Sequence, residues 1–176
     1  MGQARPRPQS RQSWPVRQTA AAVTAVLAGA AGRGAETELI RHDHPDVVAR
    51  IAEADAVVLG SPTYRATHTA ALRTLLEKIG RKPGSEPLAG TPVAVVMTGA
   101  SGEHFLGTRE LSATLAGFFG TQVLAPDLYF HGSDFDDTGP PTGRAAELSL
   151  RHGEALVDLA AAVKGSAALG ALRPLV

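Results

Sequence analysis

Apolar positions along the chain follow two periods and predict strands alternating with helices. Val23, Val26, Leu27 and Ala30 recur at i, i+3, i+4 and i+7, one face of a helix over about 18–31 that Gly32 or Gly34 can end. "ETELI" (36–40) is a short strand candidate. "PDVVARIAEA" (45–54) is a short helix with Asp43 as its N-cap and Pro45 near its first turn. "AVVLG" (56–60) is uninterrupted rather than alternating, as expected of a strand covered on both faces. In "TAALRTLLEKIG" (69–80), Leu72, Leu75, Leu76 and Ile79 form one stripe, with Arg73, Thr74, Glu77 and Lys78 facing away. "TPVAVVMTGA" (91–100) is a second buried strand. Leu111, Leu115 and Phe118 mark a helix over about 105–119, and 122–132 is a strand broken by Pro126, which cannot donate to a ladder. A last helix, about 142–164, buries Leu148, Ala155, Leu156, Leu159 and Val163, with Glu147 and Arg151 spaced for an ion pair. This order defines an α/β sandwich around a parallel sheet.

Composition narrows the chemistry. A chain of 176 residues fits one domain able to bury a core. Its 17 basic and 17 acidic residues cancel, so net charge argues for neither nucleic acid nor an anionic membrane. Cysteine is absent, which excludes disulfides, thiolate nucleophiles and cysteine-held metal or iron–sulfur centres. No apolar run is long enough to span a bilayer, and the expectation is a cytoplasmic protein. Residues 1–17 form an irregular basic segment ahead of the domain at 18–164, and 165–176 are a tail. A basic start before an Ala-rich stretch also fits a secretory or transit segment, but the stretch is only weakly hydrophobic.

Ligands of open parallel sheets sit where loops leave the carboxyl ends of the strands. Two loops leave there, "SPTYRATH" (61–68) and "TGASGEH" (98–104). Neither pairs a nucleophile with a base, neither has metal-ligand spacing, and Pro62 directly after Ser61 departs from a nucleophile elbow. What they offer is backbone. Pro62 fixes one φ, and Gly60 and Gly99 permit tight turns that aim amides and carbonyls at a planar ring. Tyr64 adds an aromatic surface, and Ser61, Thr63, Thr67, Thr98 and Ser101 add short polar side chains. The set suits a ring with carbonyls and nitrogens along one edge, such as an isoalloxazine. Asp134, Asp136 and Asp137 lack the spacing of a calcium loop and read as a solvated acidic loop. His42, His44, His68, His131 and His152 read as structural or exposed.

From "ADAVVLGSPTYRATHTAALRTLLEKIG" through "PLAGTPVAVVMTGASGEHFLGTRELSATLAGFFGTQVL" the chain resembles the NAD(P)H-dependent FMN reductases of the flavodoxin superfamily. Pro62 and Tyr64 match the pattern, as do Leu88, Gly90, Pro92, Val93, Thr98 and Gly99. Leu72-Arg73 stands for Leu-Lys, Glu77 for Asp, Thr91 for Lys and Ala100 for a second Gly. The resemblance covers roughly residues 36–132. It implies a flavodoxin-like three-layer sandwich with strand order 2-1-3-4-5 and FMN held by three loops. Residues Ser61, Pro62, Thr63, Tyr64 and Arg65 would serve in one, and Thr98, Gly99, Ala100 and Ser101 with His104 in another. NAD(P)H would stack on the flavin and pass hydride to its N5. Arg65 would meet the dinucleotide phosphate or remain an exposed loop residue, and His104 would neighbour the flavin or be solvated. The acceptor would be a small molecule or a partner monooxygenase, and the assembly a homodimer or homotetramer.

The family's first strand and its phosphate loop, G-S-x-R-x-x-S-x-T, should precede the helix at 18–31. Residues 1–15 carry Pro6, Pro8 and Pro15 and no Val, Ile or Leu, so the N-terminal strand is expected to be absent. Ser10, Arg17 and Thr19 are the remaining candidates for the phosphate. A cofactor-less flavodoxin-like module that binds or oligomerises is the alternative reading.

Overall fold

The computed structural model describes residues 14–80, 86–137 and 139–174. Helix α1 spans Trp14–Gly32 and α2 Val47–Glu53, followed by strand β1 (Val57–Pro62) and α3 (Ala70–Lys78). Strand β2 (Pro92–Gly99) leads through a 3₁₀ turn, Gly102–Gly107, into α4 (Thr108–Gly117). Two short strands follow, β3 (Gln122–Val123) and β4 (Leu128–His131), then α5 (Gly143–Lys164) and α6 (Ala167–Gly170). No described helix is long and apolar enough to cross a membrane.

The sheet is parallel throughout. β1 lies along β2 in a register running from Val57 opposite Val93 to Pro62 opposite Thr98. On the other edge of β2, β3 pairs at Pro92 and Val93, and β4 pairs from Val96 opposite Leu128 to Gly99 opposite His131. β3 and β4 are therefore two halves of one strand, parted where Pro126 removes a donor. β2 is the central strand, and Pro92 through Thr98 are all buried, as its unbroken apolar run predicted.

Helices cover both faces. On one, Ala22, Val23 and Val26 of α1 and Ala145 of α5 pack on Val96, Leu128 and Phe130. On the other, Val47 and Ile51 of α2, Leu72, Leu75, Leu76 and Ile79 at α3, and Leu111 and Leu115 of α4 cover Val57, Leu59, Val93, Val95 and Met97. The predicted α3 stripe is buried at every position, each side chain stabilising by about 1.5–3 kcal/mol. Thr69 caps that helix, its hydroxyl accepting from the Leu72 N–H at 3.2 Å. α1 and α5 cross at backbone distance: a Cβ on Gly29 would run into the Leu150 carbonyl, and one on Gly153 into the Val26 carbonyl.

Several elements differ from the sequence reading. α1 begins at Trp14, so residues 14–17 are helical rather than irregular. Pro15 is tolerated there because first-turn N–H groups have no helical partner. Residues 36–40 form no strand. They join no ladder, and among the described residues no strand lies beside β1 on that side to receive them. The five-stranded order implied by the resemblance is thus represented by three strand positions, and residues 1–13 lie outside the described residues. Asp43 does not cap α2. It pairs with Arg41 at 2.8 and 3.0 Å, which holds its carboxyl below the ordinary range, and the helix starts at Val47. Phe118 is exposed and Phe119 buried, because the chain leaves the helix after Gly117 and swings the next ring inward. On α5, Ser149, His152 and Gly153 are buried, Gly153 against α1 and the His152 ring beside the Leu148 and Pro126 carbonyls, and Glu147 and Arg151 form no pair. Residues 166–171, expected as a tail, form a capped turn of helix.

Candidate functional site

β1 and β2 end side by side, and the loops leaving them are tied at the root: the Thr63 N–H donates to the Thr98 carbonyl at 2.6 Å. Beyond it, Tyr64 and Thr67 exchange backbone hydrogen bonds at 2.9 and 3.2 Å. The two residues between them, Arg65 (φ 51°) and Ala66 (φ 64°), are both left-handed. This is the geometry of a primed two-residue turn, normally supplied by Asn-Gly. With Arg and Ala there the loop holds roughly 1–3 kcal/mol of strain per residue. Its neighbours enforce it. Gly107 lies so close that a Cβ would meet the Ala66 carbonyl at 2.6 Å, and the Thr67 hydroxyl donates to Glu110 Oε2 at 2.5 Å.

The second loop rests on Tyr129. Its hydroxyl donates to the Ser101 carbonyl at 2.8 Å, and its ring fills the space a Cβ on Gly99 would need. Burial raises the Tyr129 phenol above its ordinary value, with the neighbouring Thr63 hydroxyl opposing the shift. Ala100 and His104 are exposed, and His104 Nδ1 lies 3.5 Å from Ser101 Oγ. Tyr64, Phe105 and Leu106 are each half-exposed or more at this end of the sheet, an apolar rim beside the two turns.

The expected side chains divide into two groups. Tyr64, Arg65, Ala100 and His104 reach the surface around the loops, with Thr63, Gly99 and Ser101 partly covered. Ser61 and Thr98 are 1% exposed and are used internally. Ser61 Oγ accepts from the Thr69 N–H at 3.0 Å, which fastens the head of α3, and Thr98 Oγ1 meets Thr19 Oγ1 at 2.5 Å. Pro62 is buried as the last residue of β1. Of the phosphate candidates, Thr19 lies at the root of the loops through that bond. Arg17 sits on another side of α1, exposed, in a groove of about 420 Å³ shared with Thr24, Gly139 and Pro141. Ser10 lies outside the described residues.

Three supporting residues escape a reading by sequence: Tyr129, Gly107 and Glu110. Tyr129 had a signal, since Leu128 and Phe130 alternate inward and so turn Tyr129 to the opposite face, under residues 99–102. Gly107 and Glu110 act through a contact with a distant loop and had none. His68, expected to be structural, is 9% exposed beneath the first loop. Burial holds its imidazole below the ordinary value; Glu110 raises it and Arg73 lowers it further.

A surface cavity of about 730 Å³ lies at the opposite end of the sheet, by Asp55, Gly90, Pro92 and Ser166. Its charged groups, Asp55 and Lys164, pair with each other at 3.3 Å. The loop end, where strained backbone and aromatic surface converge, is the candidate site.

A three-layer parallel sandwich whose loops meet over the carboxyl edge of its central strand defines the flavodoxin-like class. Within that class, the model of the NADPH-dependent FMN reductase family matches residues 13–134, and the chain belongs to that family. It is 33% identical over 86 residues to the NADH-dependent FMN reductase SfnF of Pseudomonas putida, a match covering 49% of this chain and 44% of that relative. The chain therefore matches less than half of that relative's length. Among solved structures, the apo form of an NADH:FMN oxidoreductase, EMOB, superposes with TM-score 0.71 at 17% identity, over 94% of this chain and 90% of that one. The flavodiiron protein of Giardia intestinalis gives TM-score 0.66 at 19% identity, over 83% of this chain and 34% of that one. These structural likenesses show the fold. The family match begins at the head of α1, where the described helix begins.

Proposed function

We propose that the protein is a flavin-dependent NAD(P)H oxidoreductase that holds FMN at the loops 61–67 and 98–104 and passes electrons to a small-molecule acceptor. The observation that carries this is the loop backbone. Among the described residues the N–H groups of Arg65, Ala66, Ala100 and Ser101 have no protein acceptor. They lie on two turns locked together at Thr63 and Thr98. Unpaired donors on braced backbone suit the carbonyl and nitrogen edge of an isoalloxazine, and no side-chain acid or base is needed. When bound, the flavin supplies the hydride and electron chemistry.

The chain's own residues do the rest. Gly99 and Tyr129 set the height of residues 100–101, Glu110 and Gly107 hold the left-handed pair in place, and Tyr64 offers a ring face to a planar partner. Phe105 and Leu106 keep the rim apolar, which favours a planar, poorly hydrated acceptor over a charged one. Arg65, exposed on the turn, would meet an anionic group of the dinucleotide.

A specific observation favours the alternative of a cofactor-free module: Thr19 and Arg17 face different sides of α1, and the Thr19 hydroxyl is spent on Thr98. The two readings part in one experiment. Purified protein is titrated with FMN and with riboflavin by flavin fluorescence, and NADH and NADPH oxidation is followed with a quinone acceptor. Saturable flavin binding with flavin-dependent oxidation is expected. Absence of binding by both flavins at millimolar concentration would establish the cofactor-free module.

A further inference from the structure

His68 is a buried imidazole, 9% exposed, between two residues that are each fastened through a hydroxyl. On one side Thr69 caps α3 by accepting from the Leu72 N–H, and its own N–H donates to Ser61 Oγ at 3.0 Å. On the other, Thr67 closes the left-handed turn and donates its hydroxyl to Glu110 Oε2 at 2.5 Å. Burial disfavours the charged form of the ring, with Glu110 opposing that effect and Arg73 adding to it. Arg73 itself faces Glu77 at 3.5 Å. A neutral imidazole carries a single N–H, and its hydrogen bonds decide which nitrogen holds it.

The Thr67 hydroxyl makes that choice for His68. Its one hydrogen goes to Glu110, so Thr67 Oγ1 has only lone pairs to offer His68 Nδ1, 3.3 Å away. Nδ1 is therefore the donor. The chain of bonds runs from His68 Nδ1–H to the Thr67 hydroxyl and on to the Glu110 carboxylate, from beneath the loop to the first turn of α4. Each bond polarises the next, so a hydroxyl that accepts from His68 is a better donor to Glu110 than one that does not. Thr67 also exchanges backbone bonds with Tyr64 across Arg65 and Ala66, which stand at φ 51° and 64°. Residues with a Cβ disfavour that backbone, and it persists where the surroundings fix it.

We propose that His68 is a positioning residue for the flavin: by donating to Thr67 it directs the Thr67 hydroxyl to Glu110, and so holds the Arg65 and Ala66 amides in their left-handed setting. This role rests on the flavin reading of the loops, while the hold on the turn exists in the free chain.

The full-length chain is compared with His68→Asn, His68→Leu and Thr67→Val. Asparagine places an amide N–H near the position of Nδ1, whereas leucine fills the space and cannot donate. Imidazole nitrogen shifts in the wild type should place the ring proton on Nδ1. In ligand-free protein, NMR should show intense amide-to-Hα contacts within Arg65 and within Ala66, the mark of positive φ. These contacts should persist in His68→Asn and fade in His68→Leu and Thr67→Val. FMN titration should give about tenfold weaker binding for the latter two and near-normal binding for His68→Asn. The double variant should bind no more weakly than either alone. Thr67→Val changes a partly exposed side chain and reads the same chain of bonds if His68→Leu does not fold. Wild-type turn contacts in His68→Leu or Thr67→Val would overturn the proposal, as would a ring proton on Nε2. Equal FMN affinity in wild type and Thr67→Val would do the same. Turn contacts that change as expected in a chain that binds neither FMN nor riboflavin would sink the flavin reading and uphold the hold of His68 on the turn.

Discussion

Gly99 shows how a residue can be recognised for a partly mistaken reason. By sequence it is a glycine that lets backbone approach a ring; in the structure the group that needs the space is Tyr129. Gly99→Ala should therefore destabilise the fold by about 1–3 kcal/mol through overpacking. The same change beside Tyr129→Leu should cost clearly less than the sum of the two alone. Denaturant melts of the three variants test this, and additive losses would mean that Tyr129 is not what Gly99 accommodates. His68 makes a pH-dependent prediction. Its folded value is depressed by burial, so the unfolded chain takes up a proton more readily than the folded one. The associated stability is present above the unfolded value of about 6.5 and is lost as pH falls toward the folded value. Melting temperature should drop across that interval, and His68→Gln should flatten the drop. Equal slopes for both proteins would remove His68 as the cause.

Glycine reads differently again among the helices. Gly153 allows α5 to meet α1 at backbone distance, whereas a Cβ on Gly117, at the end of α4, has no atom within 4 Å. Gly153→Ala should cost about 1–3 kcal/mol by forcing the helices apart. Gly117→Ala should stabilise by up to about 0.5–1 kcal/mol, the ordinary helix gain. Thermal melts of the two variants should move in opposite directions; a shared direction would refute the close crossing. Elements with a full apolar stripe, such as α3 and β2, were legible from sequence because burial alone determines them. Residues 36–40 have strand composition and still form none, because a ladder depends on a partner that composition does not reveal. The break at Pro126 was legible, since a missing N–H acts locally.

At the scale of the molecule, the loop site was legible as two segments at the carboxyl ends of predicted strands. What joins them was not. The bond between Thr63 and Thr98, the hydroxyl pair of Thr19 and Thr98, and the brace from Glu110 to Thr67 link residues 35 to 79 apart in the chain. No local period encodes such contacts. The Ala-rich helix, readable as a cleavable leader, instead supplies Ala22, Val23 and Val26 to the core. Its removal would strip one face of the sheet.

The pairing of α1 with α5 also sets a timetable for synthesis. Among the described helices α1 is made before the others, and it shares its face of the sheet with the long helix at 143–164. Until that helix emerges, Val96, Leu128 and Phe130 have only half their cover, while the opposite face can already close from α2, α3 and α4. The nascent chain therefore carries a one-sided sheet from the emergence of β4 until that of α5, with its apolar centre open to chaperones or to other unfinished copies.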